Sequence, residues 1–145
     1  MAESTQSFEN HAKMVPLYHY WATGFLMVPT LYFLYLTITS FSLTNIMLLS
    51  FAIGVNIVGL FSRLFPLGVQ DRVIRLEERM RMERLLPDEL KPRINEVSTD
   101  HLIGLRFASD GELADLVRRV LDGELATRKD VKAAVKSWRA DNQRI

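Results

Sequence analysis

The chain has 145 residues, a net charge of +1 and no cysteine. That length leaves room for one small domain beside any apolar segments. The charge balance gives no bulk preference for nucleic acid, and the missing cysteine excludes disulfides, thiolate chemistry and cysteine metal sites. The charges are very unevenly spread: from Met14 to Ser62 there is no Lys, Arg, Asp or Glu, whereas the rest of the chain is densely charged.

A helix needs about 20 apolar residues to cross roughly 30 Å of hydrocarbon. The charge-free stretch and the three residues after it supply two such runs, 20–39 and 45–65, the second with Arg63 near its end, separated by the short polar turn Ser40-Phe41-Ser42-Leu43-Thr44. A charge at the centre of a span costs about 2.5 to 3.5 kcal/mol, and both runs avoid it. The sequence therefore predicts an all-α protein: a two-span transmembrane helical hairpin followed by a small cytoplasmic helical domain. The expected segments are an N-terminal tail (1–19), the hairpin (20–65), an amphipathic helix with its linker (66–97) and the helical domain (98–145).

The tail carries Glu3, Glu9 and Lys13, and no A-x-A site follows the long apolar run, so a cleaved signal peptide is not expected. Basic residues cluster after the second run at Arg63, Arg72, Arg75, Arg79 and Arg81, and the turn has none. By the positive-inside rule both termini are expected in the cytoplasm, with the turn outside. Tyr18, Tyr20 and Trp21 suit an interfacial aromatic belt, with His19 as a spacer among them.

In the first run Thr23, Thr30 and Thr37 share a helix stripe. In the second, Asn45, Leu49, Ala52, Asn56, Gly59 and Arg63 recur at steps of four and three. Small residues allow close helix approach in lipid, and polar ones bond across it. Equal depth about the turn predicts that Thr30 faces Asn56. A transport path lined by these stripes is the functional alternative. Pro29 is expected to bend the first span.

After the spans, Pro66 and Gly68 are expected to interrupt the chain. Val69, Val73, Leu76 and Met80 then mark the apolar face of a helix over 69–86, supported by the pairs Asp71–Arg75, Glu77–Arg81 and Arg79–Glu83. Its arginines suit either anionic lipid headgroups or ordinary solvation. Pro87 and Pro92 bracket a loop. Three short helices follow: 99–105, one opened by a Ser109/Glu112 capping box and ended near Gly123, and one opened by Thr127/Asp130 and running to Trp138. Leu102, Leu105, Phe107, Leu113, Leu116, Val117, Val120, Val131, Val135 and Trp138 are the expected core. The second of these helices is acidic and the third basic, which predicts that they pack together.

Four stretches then stand out. They are Asn10-His11-x-Lys13-x-Val15-Pro16-x-Tyr18-His19, Gln70-Asp71-Arg72-x-Ile74-Arg75-x-Glu77-Glu78, Leu105-Arg106-Phe107-Ala108-Ser109-Asp110-x-Glu112-Leu113 and Val131-Lys132-Ala133-Ala134-Val135-Lys136-Ser137-Trp138-Arg139-Ala140-Asp141. Together they resemble an uncharacterised family of small bacterial integral membrane proteins, a domain of unknown function. The resemblance spans nearly the whole chain. It implies a multi-pass protein of the bacterial inner (cytoplasmic) membrane, and it brings no catalytic residue, ligand or partner with it.

No Gly-rich phosphate loop, H-E-x-x-H, G-x-S-x-G or cysteine nucleophile is present. His11 and His101 lack a ligand set. No enzyme activity, catalytic residue, cofactor or metal is therefore expected. The candidate interhelical contacts are Thr30 and Asn56. The candidate interaction or structural residues are Asp71, Arg72, Arg106, Ser109, Asp110 and Trp138, with Asp71–Arg72 and Arg106–Asp110 as local pairs. The expected partners are membrane lipids and either a protein or further copies of the chain, with no nucleic acid. The leading functional expectation is a membrane-anchored interaction or scaffold protein. An oligomeric transport or pore-forming subunit is the alternative.

Overall fold

The computed structural model describes residues 7–8 and 14–141. Asn10, His11 and Lys13 of the first motif, and the tail charges Glu3 and Glu9, lie outside these residues. Among the described residues every regular element is helical, and β structure is limited to one isolated bridge. Five α-helices are present: α1 (Thr23–Thr39), α2 (Leu43–Leu85), α3 (Thr99–Leu105), α4 (Leu113–Leu121) and α5 (Arg128–Ala134). A π-helical turn, Leu17–Ala22, leads into α1, and a 3-10 turn, Lys91–Glu96, precedes α3. The chain forms two compact units, Lys13–Leu67 and Gly68–Ile145 (the latter with Met1–Ala12), whose boundary falls inside α2 beside Pro66.

In the first unit, Leu17–Thr39 and α2 are each long and apolar enough to cross a membrane. Their apolar windows are 0% and 6% buried within the chain. Asn56 Nδ2 lies 2.8 Å from Thr30 Oγ1 and from Ala52 O, and 3.3 Å from Leu26 O. Thr30 Oγ1 itself donates to Leu26 O at 2.8 Å. Tyr18 donates its hydroxyl to Gly59 O, and Asn45 Nδ2 donates to Ser40 O. Side chain to side chain, a bond of this kind between apolar helices contributes about 0.6 kcal/mol and at most about 1.7. Ser42 opens α2 by accepting from the Asn45 amide, an ordinary N-cap.

Two expectations for α2 are corrected. The helix runs unbroken through Pro66 to Leu85, so Pro66 and Gly68 do not interrupt it. One missing backbone donor is outweighed by the long helix on either side. The buried face is also not the predicted one. Val69, Val73, Leu76 and Met80 are 61%, 47%, 62% and 59% exposed, whereas Ile74, Glu78, Arg81 and Met82 are buried. At 100° per residue these two sets lie on opposite faces of the helix.

The second unit is built around Met82, Leu86, Leu90, Ile94 and Val97 together with Leu102, Leu105, Leu113, Leu116, Val117, Val120, Leu125, Val131 and Val135. The expected domain boundary at residue 98 therefore moves back into α2, whose last turns supply part of this core. Ser98 caps α3 by accepting from the His101 amide. The α5 capping box is complete, Thr127 with Asp130. The helix α4 ends in a Schellman motif, in which Glu124 N donates to Arg119 O and Gly123 N to Val120 O. Gly123 sits at φ +80, a conformation that favours glycine.

Ser109 does not cap α4. The helix begins at Leu113, with Glu112 in the cap position and making no side-chain cap bond. Nor does α5 reach Trp138: Val135 turns extended, and Trp138 bridges antiparallel to Ala108. Trp138 is half-buried against the core, its ring 5.0 Å from Phe107. The acidic and basic helices α4 and α5 do pack against each other, with Leu113, Leu116, Val117 and Val120 in one core with Val131, but their arginines find ion pairs elsewhere. Arg128 of α5 instead pairs with Asp100 of α3, and Arg118 of α4 with Glu89.

Gly104 sets the approach of α3 to α5. A Cβ there would meet Val131 Cβ and Cγ1 at 2.9 Å and Arg128 O at 3.2 Å. Helix propensity favours Ala over Gly by about 1 kcal/mol, but overpacking costs about 1 to 3. The clash falls on a branch point and a backbone oxygen, which cannot swing aside. Gly104→Ala should therefore lower the thermal midpoint of the full-length protein in mild detergent. Gly111→Ala, with nothing within 4 Å, should leave it nearly unchanged. Equal midpoints for the two variants would refute the close-contact account.

Candidate functional site

Arg81 is the centre of the second unit's polar structure. It is buried on α2, at 4% side-chain exposure, next to an equally buried Glu78. A charge so placed must be paired and hydrogen-bonded. Arg81 Nη1 donates to Glu78 Oε2 at 3.0 Å, Nε and Nη2 donate to Asp110 Oδ1 at 2.9 and 2.6 Å, and Nη2 also donates to Ala108 O at 2.7 Å. Arg139 reaches the other Glu78 oxygen at 3.4 Å. Two cations and two anions thus neutralise one another across α2, the turn after α3 and the C-terminal segment.

The turn and the C-terminal segment are tied by main-chain bonds. Ser109 N donates to Ser137 O at 3.0 Å and Arg139 N to Phe107 O at 2.7 Å. The Glu112 carboxylate accepts three backbone amides: Ser109 N and Ser137 N on one oxygen and Lys136 N on the other, at 3.0 to 3.1 Å. Glu112 holds the extended segment 136–139 against the turn, which places Arg139 over Glu78.

These elements wall a groove of about 1180 Å³. Glu77, Glu78, Asp110 and Asp141 line it together with Arg81, Arg84, Arg106 and Arg139, and Ile74, Val73, Met80 and Ala140 supply apolar surface. Single small-ligand pockets span about 300–1,000 Å³ and are mostly apolar. This groove is somewhat larger and carries four acidic and four basic side chains.

Of the residues singled out from sequence, Arg106, Ser109 and Asp110 line this groove, and Asp71, Arg72 and Trp138 do not. Arg106 and Asp110 have different principal partners: Arg106 Nε lies 3.4 Å from Asp141 Oδ2 with its guanidinium over the Phe107 ring, while Asp110 is held by Arg81. Glu78, Arg81, Glu112 and Arg139 were missed as site residues. The pair Glu78–Arg81 has i,i+3 spacing, legible as a helix pair, but it lies opposite the apolar stripe that drew the helix face. Among the described residues no cluster of three or more His, Asp or Glu could hold a metal.

The Arg81 guanidinium holds the Asp110 carboxyl below its usual range, first by its hydrogen bonds and then by its charge. A depressed carboxylate pKa contributes stability that is present above the unfolded value of about 3.9 and lost as pH falls through the folded value. The full-length protein should therefore lose stability below about pH 4. In Asp110→Asn that acid-induced loss should be smaller, as read from melts against pH; parallel curves would refute the coupling. Arg81→Met strands Glu78 without its buried partner and should cost about 3 to 5 kcal/mol. Glu78→Leu combined with Arg81→Met should cost less than the sum of the two single changes. Additive losses would mean that the pair is not coupled.

No curated protein and no solved structure matches the chain. One family model does, described as "Family of unknown function (DUF6526)", and the match runs over residues 1–145. The chain belongs to that family of unknown function.

Proposed function

We propose that this protein is a non-enzymatic, membrane-anchored interaction protein. Its two apolar helices form a hairpin in the bacterial inner membrane, and the second unit meets a protein partner in the cytoplasm through the groove along α2. The observation that carries this reading is the groove itself, of about 1180 Å³ and lined by four acidic and four basic side chains with Val73, Ile74, Met80 and Ala140 among them. The ionic groups at its base are engaged with one another: Arg81 with Glu78, Asp110 and Ala108 O, and Glu78 with Arg139. That arrangement fixes a shape rather than freeing a base or nucleophile.

The charge-free spans and the run of arginines after them support the anchor, with both termini in the cytoplasm. Asn56 favours an anchor over a pore, since its amide is spent on Thr30, Leu26 and Ala52 of its own chain.

Reporter fusions after Ile145 and within residues 40–44 should give opposite signals, and a periplasmic C-terminus would overturn the topology. A photo-crosslinking residue at Ala140, inside the groove, should yield a discrete protein adduct in native membranes. The same residue at Lys129, exposed on α5 and outside the groove, should not. Lipid adducts alone at Ala140 would sink the protein-partner reading.

A further inference from the structure

The exposed face of α2 between Val69 and Met80 is unusual for a helix that already buries its opposite side. Val69, Val73, Leu76 and Met80 step by four, three and four residues, which is the a/d pattern of a coiled-coil seam with Val69 and Leu76 at d and Val73 and Met80 at a. All four are about half exposed or more. Val at a with Leu at d favours two strands.

The residues beside this seam carry a charge code. Arg72 falls at g and Glu77 at the following e, and both are exposed. Among the described residues neither takes part in an ion pair of its own chain. In a parallel pair, g of one helix faces the next e of the other, so Arg72 of each copy meets Glu77 of the other and both contacts are attractive. In an antiparallel pair g faces g, which would set Arg72 against Arg79. The next parallel contact, Arg79 with Arg84, is like-charged. Of these two only Arg84 lies in the last turn of the helix; the favourable register rests on the Arg72–Glu77 pairs.

We infer that α2 self-associates as a parallel two-stranded pair through Val69, Val73, Leu76 and Met80, with a second copy of this chain as the occupant. The inference rests on the membrane-anchored reading in one respect: copies inserted the same way in one membrane run their α2 helices in the same direction, which is the direction the charges select. The seam shares Val73, Met80 and Glu77 with the rim of the groove, so the second copy covers that rim; Ile74, Glu78 and Arg81 point away from the seam, so pairing leaves the intrachain ionic network intact.

The chain has no cysteine, so single cysteines report on the pairing directly. In native membranes, full-length Val69→Cys and Leu76→Cys should form disulfide-linked dimers under mild oxidation. Arg75→Cys, exposed but off the seam, should form several-fold less. In the Leu76→Cys background, Arg72→Glu should reduce the dimer several-fold, and adding Glu77→Arg should restore it. No dimer at any position, equal dimer at 75 and 76, or an Arg72→Glu loss that Glu77→Arg fails to rescue would each overturn the inference. Fractionation separates this from the anchoring reading. Chain in the membrane fraction without the 69/76 pattern refutes self-pairing alone, and chain in the soluble fraction refutes the anchor, whatever the crosslinks show.

Discussion

The fold of the second unit depends on satisfying one buried guanidinium. Arg81 has five donor hydrogens in a rigid fork, and at 4% side-chain exposure it has almost no water to use. Its partners come from three directions: Glu78 one turn back on α2, Asp110 in the turn beyond α3, and the main-chain oxygen of Ala108. A lysine could not make this set, because its three donors radiate from a point and lack the fork that spans both a carboxylate and a carbonyl. The turn at 107–110 must therefore sit where the fork points. Once it does, Phe107 is buried, and Ala108 is placed to bridge Trp138.

Glu112 plays the complementary part. A free carboxylate beside three backbone amides behaves as an anchor for whichever segment supplies those amides. Here two of them belong to Lys136 and Ser137, so the chain after α5 cannot continue as a helix. Val135 breaks into an extended conformation, and the segment lies along the 107–109 turn with two main-chain bonds. A helix pattern ending in Trp138 is reasonable from Val131, Val135 and Trp138 alone. What defeats it is a long-range competitor for the amides of 136 and 137, twenty-four residues and more away.

This separates what the sequence discloses from what it hides. Local signals read well: the bounds of α3, the Thr127–Asp130 box, the Gly123 terminator and the two apolar runs all depend on residues within a few positions of one another. The polar site reads poorly, because most of its bonds join segments far apart in the chain. Asp110 was legible as a charged turn residue, but its partner lies 29 residues back on a helix. The apolar stripe Val69–Met80 misled in an instructive way. Periodicity identifies a face without saying what covers it, and here the covered face is the one that carries two charges.

Both units use α2 in the same manner. Each has one donor-rich side chain on the helix, and each of these takes acceptors from a segment other than α2. In the first unit Asn56 finds Thr30 Oγ1 and Leu26 O on α1; in the second Arg81 finds Asp110 and Ala108 O. In both cases an apolar residue at that position would leave the packing without a registry mark, since apolar surfaces slide over one another at little cost. A polar donor with fixed acceptors makes one register much better than its neighbours. The strength demanded of the mark differs with the surroundings. Asn56 is neutral and engages oxygens its neighbours already present, so it suits an environment where charge is expensive. Arg81 carries a full charge and therefore needs Glu78 and Asp110 as counterions, which only a charge-rich segment can supply. The change from amide to guanidinium along one helix follows the change in composition along the chain, from the charge-free stretch ending at Ser62 to the arginine-rich turns beyond it.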